Sequence, residues 1–158
     1  PNRINMIHDY WPRTEYMQLK DSYFILSGKC EALAAPICKV VNYTMTMVPN
    51  LFNHSTQEQA ASEIHPSFYF GLRCQSREMT LFVCALYFPP CGMPYQPCRE
   101  LCERVKRRCL PNIELYGYPW PEEIDCDEFP SAGSGANCIG AQPLMPPTTS
   151  STVQLENS

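Results

Sequence analysis

The side chains with the most chemistry to offer are ten cysteines, all between Cys30 and Cys138. Thiols at this density either hold metal or pair oxidatively. Zinc is the weaker choice. The chain has no CxxC pair, and its three histidines, His8, His54 and His65, stand at no ligand spacing from a cysteine pair. An even count of cysteines invites complete pairing, and about 945 connectivities are then open. Two sequons, Asn42-Tyr43-Thr44 and Asn53-His54-Ser55, mark Asn42 and Asn53 as glycan acceptors. Sequons beside ten cysteines point to an oxidising, extracellular setting and a fold that depends on oxidation.

The remaining constellations carry less. Asp125, Asp127 and Glu128 have no calcium-loop spacing and read as a solvated turn. The basic run Arg104, Lys106, Arg107 and Arg108 suggests at most a weak heparan sulfate contact, because an amphipathic helix needs a charged outer face anyway. No Ser-His-Asp set, phosphate loop or carboxylate pair announces itself, so the reading is a protein that is not an enzyme and carries neither metal nor cofactor. A net charge of −4 argues against nucleic acid as a partner. From Met79 to Cys98 the chain runs uncharged, yet Pro89, Pro90, Pro94 and Pro97 fall inside that stretch. Prolines there would leave backbone groups unsatisfied in lipid. Membrane attachment is expected only through segments outside this chain.

The elements that must position these residues read as mainly helical. Ser55 and Thr56 start a first helix with Glu58 and Gln59 at capping-box spacing, and it should end or kink near His65 because Pro66 follows. Ala60, Ala61, Ile64 and Phe68 fall on one of its faces. A second helix begins after Ser76, buries Met79, Phe82, Val83 and Leu86, and stops at Pro89-Pro90. A third opens at Pro97, with Cys98, Cys102, Val105 and Cys109 on one stripe and the basic residues outward. A short fourth spans Leu110 to Tyr116 and ends at Gly117. Val40 to Met47 suits a short strand. The expected organisation is an aromatic-bearing, partly ordered extension over 1–29, a cysteine-rich domain over 30–140, and a Pro/Ser/Thr-rich linker over 141–158.

Read with the residues between them, the cysteines carry more. YTMTMVPN, FVCALYFPPC, PCRELCERVKRRC and the Gly-aromatic-x-Trp-Pro run at Gly117 to Pro121 stand in order along the chain. In these features the sequence resembles the cysteine-rich domain of Frizzled receptors, from Cys30 to about Gly140. The resemblance implies a small disulfide-rich helical domain of about four helices with short β-strands and five disulfides: Cys30–Cys91, Cys38–Cys84, Cys74–Cys109, Cys98–Cys138 and Cys102–Cys126.

It also implies a function: the ligand-binding ectodomain of a Wnt receptor, with the ligand's fatty acyl group in a groove and a second protein contact opposite. The groove positions that match are Phe68, Tyr69, Leu86, Tyr87, Ile113, Tyr116 and Tyr118; the second contact matches Tyr43, Phe88 and Pro90. Leu86→Glu and Tyr118→Glu would then leave the fold intact and remove the acylated ligand. A homodimer through one shared lipid is a further implied partner. The alternatives are a secreted Wnt antagonist acting as a decoy, an accessory module of another receptor or secreted enzyme, and a sterol-binding relative. Three departures from the family pattern stand out. Asn42 precedes Tyr43, where the family has its asparagine after the tyrosine. The chain is one residue short between His65 and Cys74, and Phe70 stands where a proline is expected; between Cys74 and Cys84 it is one residue long.

Overall fold

The computed structural model describes residues 28–92, 96–135 and 137–144. The aromatic extension up to residue 27 and the linker from residue 145 lie outside the described residues. Strand β1 (Lys29–Ala32) pairs antiparallel with β2 (Met45–Val48), Lys29 opposite Val48 and Ala32 opposite Met45. Between them the chain reverses through a 3₁₀ turn, Pro36–Val40, which opens on a proline whose missing N–H is no loss there. The expected strand over Val40 to Met47 is therefore shorter and begins later, because Val40 is taken into that turn. On its other edge β2 meets the segment after the central helix. Met47 N–H donates to the Pro89 carbonyl at 3.2 Å, the Thr46 hydroxyl to the same oxygen at 2.7 Å, and Cys91 N–H to Met45 at 3.1 Å.

Four α-helices follow among the described residues: α1 (Gln57–Ser62), α2 (Pro66–Gly71), α3 (Arg77–Tyr87) and α4 (Arg99–Leu115). Thr56 caps α1 by accepting from Gln59 N–H, and Gln59 reaches back to Ser55 N–H. Pro66 divides what reads as one long helix into two, and α2 starts with that proline in its first turn. Helix α3 starts at Ser76, whose hydroxyl accepts from Met79 N–H, and from Leu81 to Tyr87 every residue is buried. An apolar surface all round is what a central helix needs.

The third expected helix differs in three ways. It begins at Arg99 with Cys98 as the cap, since Pro97 belongs to β3 (Gln96–Pro97), which pairs in parallel with β4 (Cys138–Ile139). It also runs straight through Pro111 and absorbs the separate fourth helix. An internal proline ordinarily costs about 3 kcal/mol. Here Pro111 and Arg107, whose carbonyl loses its donor, both face solvent, while Cys109 and Ile113 on the opposite side are fully buried. Finally, Arg104 turns inward. Its guanidinium holds the Glu78 carboxylate at 2.8 and 3.1 Å and donates to the Gly140 carbonyl, while Glu78 also accepts from Leu144 N–H.

Five disulfides fasten these parts, and they join the pairs that the resemblance implies: Cys30–Cys91, Cys38–Cys84, Cys74–Cys109, Cys98–Cys138 and Cys102–Cys126. The core between α3 and α4 is aromatic. Phe68 meets Phe82 and Trp120 edge-on at 5.9 and 5.6 Å, and Phe82 meets Phe129 at 6.1 Å. No helix of the described residues is long and apolar enough to cross a membrane.

One buried polar group closes the loop between β2 and α1. Asn50 donates to the Tyr87 carbonyl at 2.9 Å and to His54 Nδ1 at 3.0 Å, and its carbonyl accepts from Phe52 and His54 N–H. Replacing it leaves several buried partners without a bond, each costing about 1–3 kcal/mol. Asn50→Ala should therefore lower unfolding stability by about 3 kcal/mol, read from the denaturant midpoint at unchanged slope. Asn50→Asp, which keeps the acceptor and loses the donor, should fall between.

Candidate functional site

Helix α2 places three consecutive aromatics in three directions, as a rotation of about 100° per residue requires. Phe68 enters the core and is fully buried. Tyr69 points out, 49% exposed, with its hydroxyl donating to the Ala61 carbonyl at 3.0 Å. Phe70 is half-buried and lies against the end of α4, stacking on Tyr116 at 4.5 Å and on Tyr118 at 5.0 Å, with planes 21° and 23° apart. The Arg73 guanidinium sits 5.9 Å from the Phe70 ring centre and 5.5 Å from that of Tyr116.

The two tyrosines reach this surface because α4 ends on a glycine. Gly117 has φ +87°. Its N–H donates to the Glu114 carbonyl, and Tyr118 N–H to that of Ile113. This is the paired-bond termination that a left-handed residue permits. The turn returns Tyr118 to the side of Tyr116, and both remain exposed, at 37% and 44%.

Among the expected groove positions, then, the structure brings Tyr116 and Tyr118 together and sets Tyr69 on the adjacent flank of α2. It does not open Phe68, Leu86, Tyr87 or Ile113 to solvent. All four are core residues. Leu86 and Tyr87 lie on the buried central helix, and the Tyr87 hydroxyl is engaged by His65 N–H at 3.1 Å.

A second apolar feature lies on the other side of Tyr69. It is a groove of about 290 Å³ between the 3₁₀ turn and α1–α2, walled by Pro36, Ile37, Ala61, Ile64, Tyr69 and Leu72, with Phe88 at its base. Ile37, in its wall, is 40% exposed. Its sequence signal is weak, because Ile37 sits alone between Pro36 and Cys38 with no periodic partner.

The expected second contact is only partly surface. The Tyr43 hydroxyl donates to the Phe88 carbonyl at 2.7 Å and is 3.4 Å from that of Cys84, capping the end of α3. Burial holds its phenol well above the ordinary range, so it stays protonated and keeps donating. Phe88 itself is buried, which leaves Tyr43 and Pro90 as the partly accessible members. Asn42 and Asn53 are both exposed. Asp125, Asp127 and Glu128 are exposed around a 3₁₀ turn that Asp125 caps, and no cluster of three metal-type ligands forms among the described residues.

Comparison with known proteins places this architecture. The family model described as Fz domain matches residues 30–133. Frizzled-1 of Xenopus laevis is 38% identical over 117 residues, covering 72% of this chain and 21% of that protein. Frizzled-5 of Homo sapiens is 36% identical over 115 residues, 70% of this chain and 20% of the relative. The chain thus spans about a fifth of the length of these relatives. Among solved structures, the selenomethionine-labelled Smoothened CRD is 24% identical, with TM-score 0.44, over 65% of this chain and 93% of that one.

Proposed function

The chain belongs to the Fz domain family, and from that membership we propose that it is the extracellular ligand-binding domain of a Wnt receptor, whose ligand lays its acyl chain against the α2–α4 aromatic face. The observation that carries this reading is the exposed pair Tyr116 and Tyr118, stacked on Phe70 with Tyr69 on the adjacent flank of α2, on a scaffold fastened by five disulfides. An acyl chain of about sixteen carbons gains roughly 0.8 kcal/mol per buried CH₂, on the order of 10 kcal/mol before ordering costs. Phe68, Leu86, Tyr87 and Ile113 are buried in the core and support the fold rather than touch the ligand. The second, protein-to-protein contact falls around Tyr43 and Pro90. The fatty acyl group arrives with the ligand, so the domain needs no cofactor of its own. Every described cysteine is consumed in a disulfide, so the cysteines serve the scaffold. Asn42 and Asn53 are proposed glycan acceptors. A heparan sulfate contact would fall to Lys106, Arg107 and Arg108, since Arg104 is held by Glu78. A secreted decoy with the same module would bind in the same way.

A second reading has its own observation. The 290 Å³ groove beside Tyr69 is apolar along most of its wall and has the volume to take part of an acyl chain. Two substitutions separate the readings. Tyr118→Glu should leave the domain folded and weaken an acylated Wnt at least a hundredfold, because a carboxylate in the acyl path costs several kcal/mol. Ile37→Glu should then change little. Loss with Ile37→Glu and none with Tyr118→Glu would move the chain into the groove. A non-acylated ligand should bind weakly and ignore both variants. If it binds as tightly as the acylated one, recognition does not use the lipid.

A further inference from the structure

We propose that Phe70 is a gate: its ring fills the aromatic slot at Tyr116 and Tyr118, and an acyl chain binds by displacing it. The inference rests on the α2–α4 form of the reading above and adds to it how that site is kept closed.

Three observations carry it. Phe70 lies nearly parallel to both tyrosines at stacking distance, so the apolar faces a ligand would use are already covered from within. Arg73 bridges the centres of Phe70 and Tyr116, which holds the closed arrangement by charge rather than by further burial. The backbone under the gate is pinned. A Cβ on the next residue, Gly71, would lie 2.6 Å from Met79 and 3.3 Å from Ile113, and Cys74 is bonded to Cys109 on α4. With the end of α2 fixed in this way, the phenyl ring opens by side-chain rotation alone. It leaves a slot one ring thick, the thickness that a single methylene chain fills.

A ring that is closed nine-tenths of the time lowers apparent affinity about tenfold, whatever the ligand. The same factor falls on a free fatty acid and on an acylated protein. The free fatty acid has no protein contact to add, so it drops out of range first. The gate thereby keeps the site responsive to protein-borne acyl groups.

The test is a titration of the full chain with a fluorescent sixteen-carbon cis-unsaturated fatty acid, repeated with an acylated Wnt. Phe70→Ala should raise both affinities by a common factor of about ten. Arg73→Gln should move both in the same direction by less, and Tyr118→Glu should abolish fatty acid binding in every background. Unchanged or weaker binding by Phe70→Ala, with Tyr118→Glu still abolishing it, would make Phe70 a wall and overturn the gate while leaving the site in place. Full binding by the Phe70→Ala, Tyr118→Glu double variant would place the acyl chain elsewhere and remove the underlying reading as well. Fatty acid binding by none of the proteins also counts against the gate, because an opened slot should fill. Should Phe70→Ala fail to fold, Arg73→Gln decides alone: its affinity must rise.

Discussion

Full reduction of the five disulfides should abolish the fold. The bridges close segments separated by 61, 46, 35, 40 and 24 residues. Loop-closure entropy assigns each of them about 3.5–4.5 kcal/mol taken singly, model-dependent and not additive where loops nest. A domain has roughly 5–15 kcal/mol in total, so the full sum of about 19 kcal/mol exceeds what there is to lose, and even half of it would consume most of an average domain's stability. The architecture gives the same answer. Among the described residues from Cys126 to Ile139 there are only 3₁₀ turns and a two-residue strand, and this segment is fastened to α4 by Cys102–Cys126 and Cys98–Cys138. The measurement is near-ultraviolet circular dichroism with thiol titration during stepwise reduction under native conditions. Loss of the aromatic signal by the time all ten thiols are titratable is the expected result. A native spectrum at ten free thiols would show that packing alone suffices.

Leu86→Glu has the second large effect, and it reverses what the family resemblance implies for that residue. Leu86 is fully buried on a helix that is itself buried all round. Removing the leucine side chain costs about 2–5 kcal/mol in lost packing. The new carboxylate adds several kcal/mol of desolvation, unless it takes up a proton. The two together consume most of a domain's stability, so secretion of folded protein should fail. Tyr118→Glu, at an exposed turn, should secrete normally. Secretion yield and cooperative unfolding of the two variants side by side make the check. A folded, ligand-deficient Leu86→Glu would mean that Leu86 reaches an open groove and that the packing described here does not hold.

Sequence and structure part company along a recognisable line. Ser76, Thr56 and Gly117 announce helix ends correctly because a cap or a left-handed turn is satisfied by atoms within four residues. Pro66 likewise marks a real break. Pro111 misleads, since whether a helix survives a proline depends on what its far side buries, and that is a property of α3 and Cys74 rather than of the local chain. Arg104 misleads in the same manner. Helical periodicity places it on the border of the polar face, and only the approach of α3 supplies Glu78.

The site follows the same division. By itself the sequence points to an oxidised, mainly helical chain, and its cysteine register carries the family resemblance; the pairing follows only from what that resemblance implies. Cysteine spacing is discrete, and little else reproduces it. Periodicity marks Leu86 and Ile113 as inward-facing, yet inward toward a core and inward toward a groove read alike along one dimension. Only the tertiary structure decides that Leu86, Tyr87, Ile113 and Phe68 lie beneath the surface while Tyr69, Tyr116 and Tyr118 lie on it. It also decides that Phe70, notable in the sequence only as a departure from an expected proline, meets both tyrosines. Depth of burial and ring stacking are set by segments more than forty residues apart in the chain, and no local pattern contains the distance between them.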